Sequence, residues 1–148
     1  MKIVKKAFLY LLILFVLIQF YPMEKPKVNF SNPNDFLLNN KMPLDIAKTI
    51  KNSCYDCHSN ETKYPWYSKI APIKWLVFHD INEGREKLNF SEWNSLSIDD
   101  KSDKLFDIQD EINEGEMPMK IYTYIHRNTQ LTEEQRTLIS DFVEKLAE

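Results

Sequence analysis

Two cysteines three positions apart, with a histidine directly after the second, can fasten a porphyrin. This chain has one such arrangement, Cys54-Tyr55-Asp56-Cys57-His58, and these are its only cysteines in 148 residues. Two thiols about one helical turn apart can each form a thioether to one of two neighbouring haem vinyl groups. The adjacent imidazole then lies over the ring as the proximal iron ligand. The spacing predicts one haem c, covalent through Cys54 and Cys57, with His58 on iron. Three other chemistries use a C-x-x-C pair. A thioredoxin-like redox motif needs a βαβ setting, and no alternation of strand and helix patterns surrounds this one. Structural zinc needs four closed ligands, and His79 and His126 form no second pair at finger-like spacing. A plain disulfide would leave His58 without a role.

A sixth ligand would decide between electron transfer and reaction at iron. Met117 is the first candidate, because Gly115 ends the preceding helix and Pro118 stiffens the loop that carries it. Met119 shares that loop, and His79 and His126 are further options. Methionine opposite histidine raises the iron potential relative to two histidines. A six-coordinate haem also shuts out peroxide and O2.

The elements that must position these groups read as helical. Gly84 and Gly115 are the only glycines, too few for a turn-dense β-sandwich. Pro43 suits the first position of a helix running to the cysteines, with Leu44, Ala47 and Ile50 on its apolar side. The segment Tyr64-Pro65-Trp66-Tyr67 predicts an aromatic loop walling the crevice, with a carbonyl near Pro65 or Pro72 orienting His58. Ile73, Val77, Ile81, Gly84 and Leu88 form the stripe of the next helix, where Gly84 permits close approach to a neighbour. Ser97 caps a further helix that Gly115 ends. Thr132 and Gln135 make a capping box for the last, which buries Leu138, Phe142, Val143 and Leu146.

Lys2, Lys5 and Lys6 precede an apolar run from Ala7 to Phe20, the layout of a secretory signal. Gln19 to Met23 offers no small-residue cleavage site, so residues 1–21 read as an uncleaved signal anchor. Proline- and asparagine-rich residues 22–42 read as a tether, onto which Phe30, Phe36, Leu37 and Leu38 could pack. Residues 43–148 are the haem-binding domain. The expected location is the cytoplasmic membrane, single pass, with the haem domain in the periplasm.

The 22 acidic and 19 basic residues leave a net charge of −3. Three of the bases precede every acidic residue, so the rest of the chain is more acidic than that total. Nucleic acid is thereby excluded as a partner class, and steering towards positively charged redox proteins is expected.

The run Cys54 to Asn60, the Tyr64-Pro65-Trp66-Tyr67 cluster and Ala71-Pro72 resemble the haem-binding domain family of bacterial c-type cytochrome-like proteins. The likeness continues through His79, Gly84-Arg85-Glu86, Leu88 to Trp93 and Gly115-Glu116-Met117-Pro118. It covers roughly Pro43 to Ala147. It implies covalent haem and an all-α, cytochrome c-like small helical domain, here preceded by the N-terminal membrane-anchor helix. The functional expectation is a membrane-anchored monohaem cytochrome that carries electrons between periplasmic or membrane redox proteins, not a catalyst. A peroxidase-like component, or a module that senses a gas or ferries haem, is the alternative. A lone haem motif argues against the peroxidase, which usually carries two.

Overall fold

The structure is a computed structural model and describes residues 2–147. Among the described residues the regular elements are all helical, as the composition predicts. In chain order they are α1 (Lys2–Gln19), α2 (Phe36–Asn39), α3 (Leu44–Ser53), α4 (Tyr55–His58), α5 (Ile73–Lys87), α6 (Ile98–Glu114), α7 (Lys120–Ile125) and α8 (Glu133–Ala147). Tight 3-10 turns at Trp66–Lys69, Phe90–Ser95 and Arg127–Thr129 connect them.

The helix boundaries obey the local signals. Ser97 Oγ accepts the Asp100 N–H at 3.1 Å and starts α6. Gly115, at φ 74°, ends it in the left-handed region that a residue without a Cβ adopts at least cost. The α8 capping box is reciprocal: the Thr132 N–H donates to Gln135 Oε1 at 2.9 Å, and the Gln135 N–H donates to Thr132 Oγ1 at 3.2 Å.

Helices α6 and α8 pack against each other most extensively. Leu105 and Ile112 meet Ile139 and Val143 there, and the same core runs on through Ile50, Tyr55 and Phe90. Two apolar faces differ from the sequence reading. In α3 the buried residues are Ile46 and Ile50, while Leu44 is exposed. In α8 Ile139 takes the place expected of Leu138. Ile50 and Val143 are buried as read, so only one edge of each stripe differs, because the tertiary neighbour selects among adjacent apolar rows.

Residues 26–40 lie against the domain. Phe36 is fully buried between Phe90 and Trp93, and the Tyr55 hydroxyl donates to Asp35 Oδ1 at 3.0 Å. Of the residues expected to pack, Phe30 and Leu38 instead stand exposed.

The expectation of a single-pass protein of the cytoplasmic membrane, with its haem domain in the periplasm, is overturned. Among the described residues no helix is long and apolar enough to cross a membrane. Helix α1 has 18 residues and begins with Lys2, Lys5 and Lys6. Its uncharged part, Ala7 to Gln19, rises only about 20 Å at 1.5 Å per residue, against a hydrocarbon core of roughly 30 Å. Its end is also tied to the domain. Gln19 donates to the Ala71 carbonyl at 3.0 Å and accepts the Ala71 N–H at 2.9 Å, while Tyr21 packs edge-on against Trp75.

Candidate functional site

The C-x-x-C-H segment is a single helical turn pinned at both ends. The N–H groups of Cys57 and His58 both donate to the Cys54 carbonyl, at 3.2 and 2.9 Å. The turn rests on α5, where Gly84 makes the approach possible. A Cβ built at Gly84 would meet the Cys57 carbonyl oxygen at 3.1 Å and the Cys57 Cβ at 3.3 Å. That is the close approach expected of Gly84.

The same contact orients the imidazole. His58 Nδ1 lies 2.9 Å from the Gly84 carbonyl and 3.2 Å from the Leu88 carbonyl. Carbonyls only accept, so Nδ1 carries the proton and Nε2 keeps its lone pair. Burial pushes His58 below the usual imidazole range, partly opposed by those two carbonyls. The ring is therefore neutral and able to ligate. The orienting carbonyls come from the end of α5, not from near Pro65 or Pro72. Backbone acceptors carry no side-chain signature, so no sequence signal pointed to them.

Cys54 and Cys57 are free thiols. Burial pushes each up to about 12, and the neighbouring Asp56 and Asp80 add to the effect at Cys57. Such thiols stay protonated at neutral pH, unlike the low-pKa thiolate of a redox-active C-x-x-C. No strand among the described residues supplies a βαβ setting, and no group of three His, Cys, Asp or Glu among them is arranged to hold a metal ion. The βαβ setting of the thioredoxin reading is thus missing among the described residues.

Cys54, Cys57 and His58 open on a crevice of about 170 Å³ that Met117, Pro118 and Met119 also line. A second cavity of about 210 Å³ adjoins it, sharing Asp56, Cys57, Asp80, Met119 and Tyr122. Ile73, Leu76, Val77, Ile121 and Ile125 line this second part. Together the two fall within the range of roughly 300–1,000 Å³ usual for small-molecule and cofactor sites. Pro65 and Tyr67 contribute to the wall, whereas Trp66 points to solvent.

The candidate distal residues separate clearly. Met117 sits on a loop hung from the end of α6: its N–H donates to the Glu111 carbonyl at 3.1 Å. Arg136 on α8 donates to the Ile112 carbonyl at 2.6 Å and the Met117 carbonyl at 3.3 Å. Met119 lines both cavities. His79 is two-thirds exposed, 3.3 Å from Glu83 on its own helix, and lines neither cavity. His126 lines the second cavity, with Nε2 2.6 Å from the Tyr67 hydroxyl.

Two groups escaped the sequence reading. Asp56, inside the motif, accepts the Tyr122 hydroxyl at 2.9 Å and the Lys63 N–H at 3.0 Å, stitching α7 and the following loop to the cysteine turn. Arg85, on α5, is committed to the scaffold: it donates to the Ser59 and Lys27 carbonyls and to Thr62 Oγ1.

The donor set fits haem chemically: two free thiols one turn apart, an imidazole whose Nε2 has no hydrogen-bond partner among the described residues, and two thioethers lining the same crevice. No curated protein and no solved structure matches the chain. A family model described as "Haem-binding domain" matches residues 13–145. That span includes every group lining the crevice, and by it the chain belongs to the haem-binding domain family.

Proposed function

We propose that this chain holds one haem c covalently through Cys54 and Cys57, with His58 as proximal and Met117 as distal ligand, and works as a single-electron carrier. Haem supplies the one-electron couple at iron. The chain's residues do the rest. The observation that carries the reading is the His58 geometry, with Nδ1 spent on the Gly84 and Leu88 carbonyls and the cysteines beside it on the same crevice. An imidazole locked in this tautomer has one remaining task for Nε2, to donate its lone pair. Both cysteines are free, so each S–H can add across a vinyl double bond to form a thioether. The Met117 thioether, on a loop pinned by Arg136, would hold haem iron and so favour electron transfer over binding of O2 or peroxide. Met119 is the substitute on the same loop. Residues 43–148 carry the whole donor set, so we take them as the haem-binding unit.

The test is a pyridine haemochrome spectrum after acid-acetone extraction of protein made with cytochrome c maturation machinery. Pigment should stay with the polypeptide, and the double variant Cys54→Ala/Cys57→Ala should lose it. A colourless product, or pigment released to solvent, sinks covalent attachment. Met117→Ala should remove a near-infrared sulfur-to-iron band and lower the potential; an unchanged spectrum moves the ligand to Met119.

A further inference from the structure

Charge is unevenly distributed around the crevice. The two segments that wall the second cavity, residues 62–81 and 117–132, carry Lys63, Lys69, Lys74, Lys120 and Arg127 against one acidic residue, Asp80. Each of these bases is within two positions of a residue lining that cavity. Lys63, Lys69 and Arg127 are exposed, and among the described residues they and Lys74 enter no ion pair. Lys120 has a loose pair with Glu116 at 3.4 Å, with both side chains mostly in solvent. The acidic groups at the crevice are internal. Asp56 is hydrogen-bonded to Tyr122 and Lys63, and Asp80 is half-buried. Helix α6 has the opposite character, with exposed Asp99, Asp103, Asp107 and Asp110.

The mouth is also apolar. Ile73, Leu76, Ile121 and Ile125 line the cavity yet are each about half exposed, at 46, 47, 58 and 55%. Trp66 and Tyr124 stand further out, at 74 and 77%. Aromatic and apolar residues flanked by bases, four of them outside any ion pair among the described residues, are the make-up of a protein-binding patch with an apolar centre and a charged rim.

We propose that this mouth is the docking surface for an acidic protein partner, one presenting carboxylates around an apolar patch. The identity of that partner as a redox protein rests on the haem reading above; its acidic character rests on the charge map alone. The net charge of −3 pointed to basic partners, because a total cannot report the sign of one face.

The isotopically labelled, matured full-length chain is titrated with a zinc-substituted acidic blue-copper protein, which accepts no electron. A lysine-rich cytochrome c is the basic control. Amide shifts should cluster in residues 62–81 and 117–132 and vanish as salt is raised from about 10 to 150 mM, where screening shortens to about 8 Å. Lys63→Glu/Lys69→Glu/Arg127→Glu should weaken binding at least about tenfold at low salt, while Asp103→Lys/Asp107→Lys on α6 changes it less than about twofold. Shifts mapping to α6, tighter binding of the basic control, or equal effects of the two variants would overturn the proposal. A colourless chain that still binds the acidic probe at this mouth would keep the docking surface and sink the haem reading. A coloured chain that binds through α6 would do the reverse.

Discussion

The two walls of the crevice are held by different physics. On the cysteine side, α4 lies in van der Waals contact with Gly84, and His58 bonds to two carbonyls of α5. Tyr55 stacks on Phe90 with ring centroids 5.2 Å apart and reaches Asp35 behind it. Packing and backbone hydrogen bonds over-determine this wall. The methionine side hangs from the end of α6 by backbone bonds and is clamped by one arginine. The cysteine wall is thus built for fixed geometry, while the Met117 backbone is held across the chain by Arg136 and so is the more adjustable.

The largest effect should come from breaking the first wall where it is tightest. Gly84→Val drives methyl groups into the Cys57 backbone, and overpacking of that kind costs about 3 kcal/mol. Urea unfolding should show it, together with loss of the His58 hydrogen bonds by imidazole NMR. A variant as stable as the parent would mean that α4 yields easily and the contrast is false. Next comes the clamp of the second wall. Arg136→Met removes charged donors to two carbonyls, worth about 2 kcal/mol. Its signature should be faster exchange of the Met117 amide with the His58 resonances unmoved. If His58 shifts as much as Met117, the walls are coupled.

Asp35 sharpens the picture behind the first wall. Burial raises its carboxyl above the usual 3.8, against the opposing pull of the Tyr55 hydroxyl, and its Oδ2 has no partner. A raised folded pKa means that the proton is bound more tightly in the native state. This contribution to stability is therefore full below the unfolded value and lost as pH rises through the folded one. Asp35→Asn should abolish that part of the pH dependence, gaining most on the parent at pH 7 and least near pH 3.5, by about 1 kcal/mol. Equal gains at both pH values would show that Asp35 does not titrate in this range. The smallest effect is expected at the exposed Lys120–Glu116 pair beside the methionine loop. Glu116→Gln should change stability by less than about 0.5 kcal/mol in urea, because solvent and salt screen such contacts.

The chemistry-bearing residues were legible because they are local. Cys54, Cys57 and His58 span a single turn, and the caps at Ser97, Gly115 and Thr132 depend on neighbours within a few positions. The methionine loop was legible for the same reason, since Gly115 and Pro118 mark where the helix must stop. What failed involved distance or direction along an element. Leu44 and Leu138 were assigned inward because periodicity finds an apolar row without saying which neighbour will cover it. The membrane-anchor reading failed on length: three lysines leave too few uncharged residues in α1 to span a bilayer.

By itself the sequence determined the helical class, most helix ends and the single turn that carries Cys54, Cys57 and His58, because capping and glycine conformations act within a turn or two of chain. Tertiary structure alone decided that Gly84 and Leu88 present their carbonyls to His58, and that Arg136 reaches the Met117 loop. It also gathered bases from two distant segments around one mouth. Those outcomes depend on groups far apart in the chain being brought within hydrogen-bond or Debye distance, and only packing sets such distances.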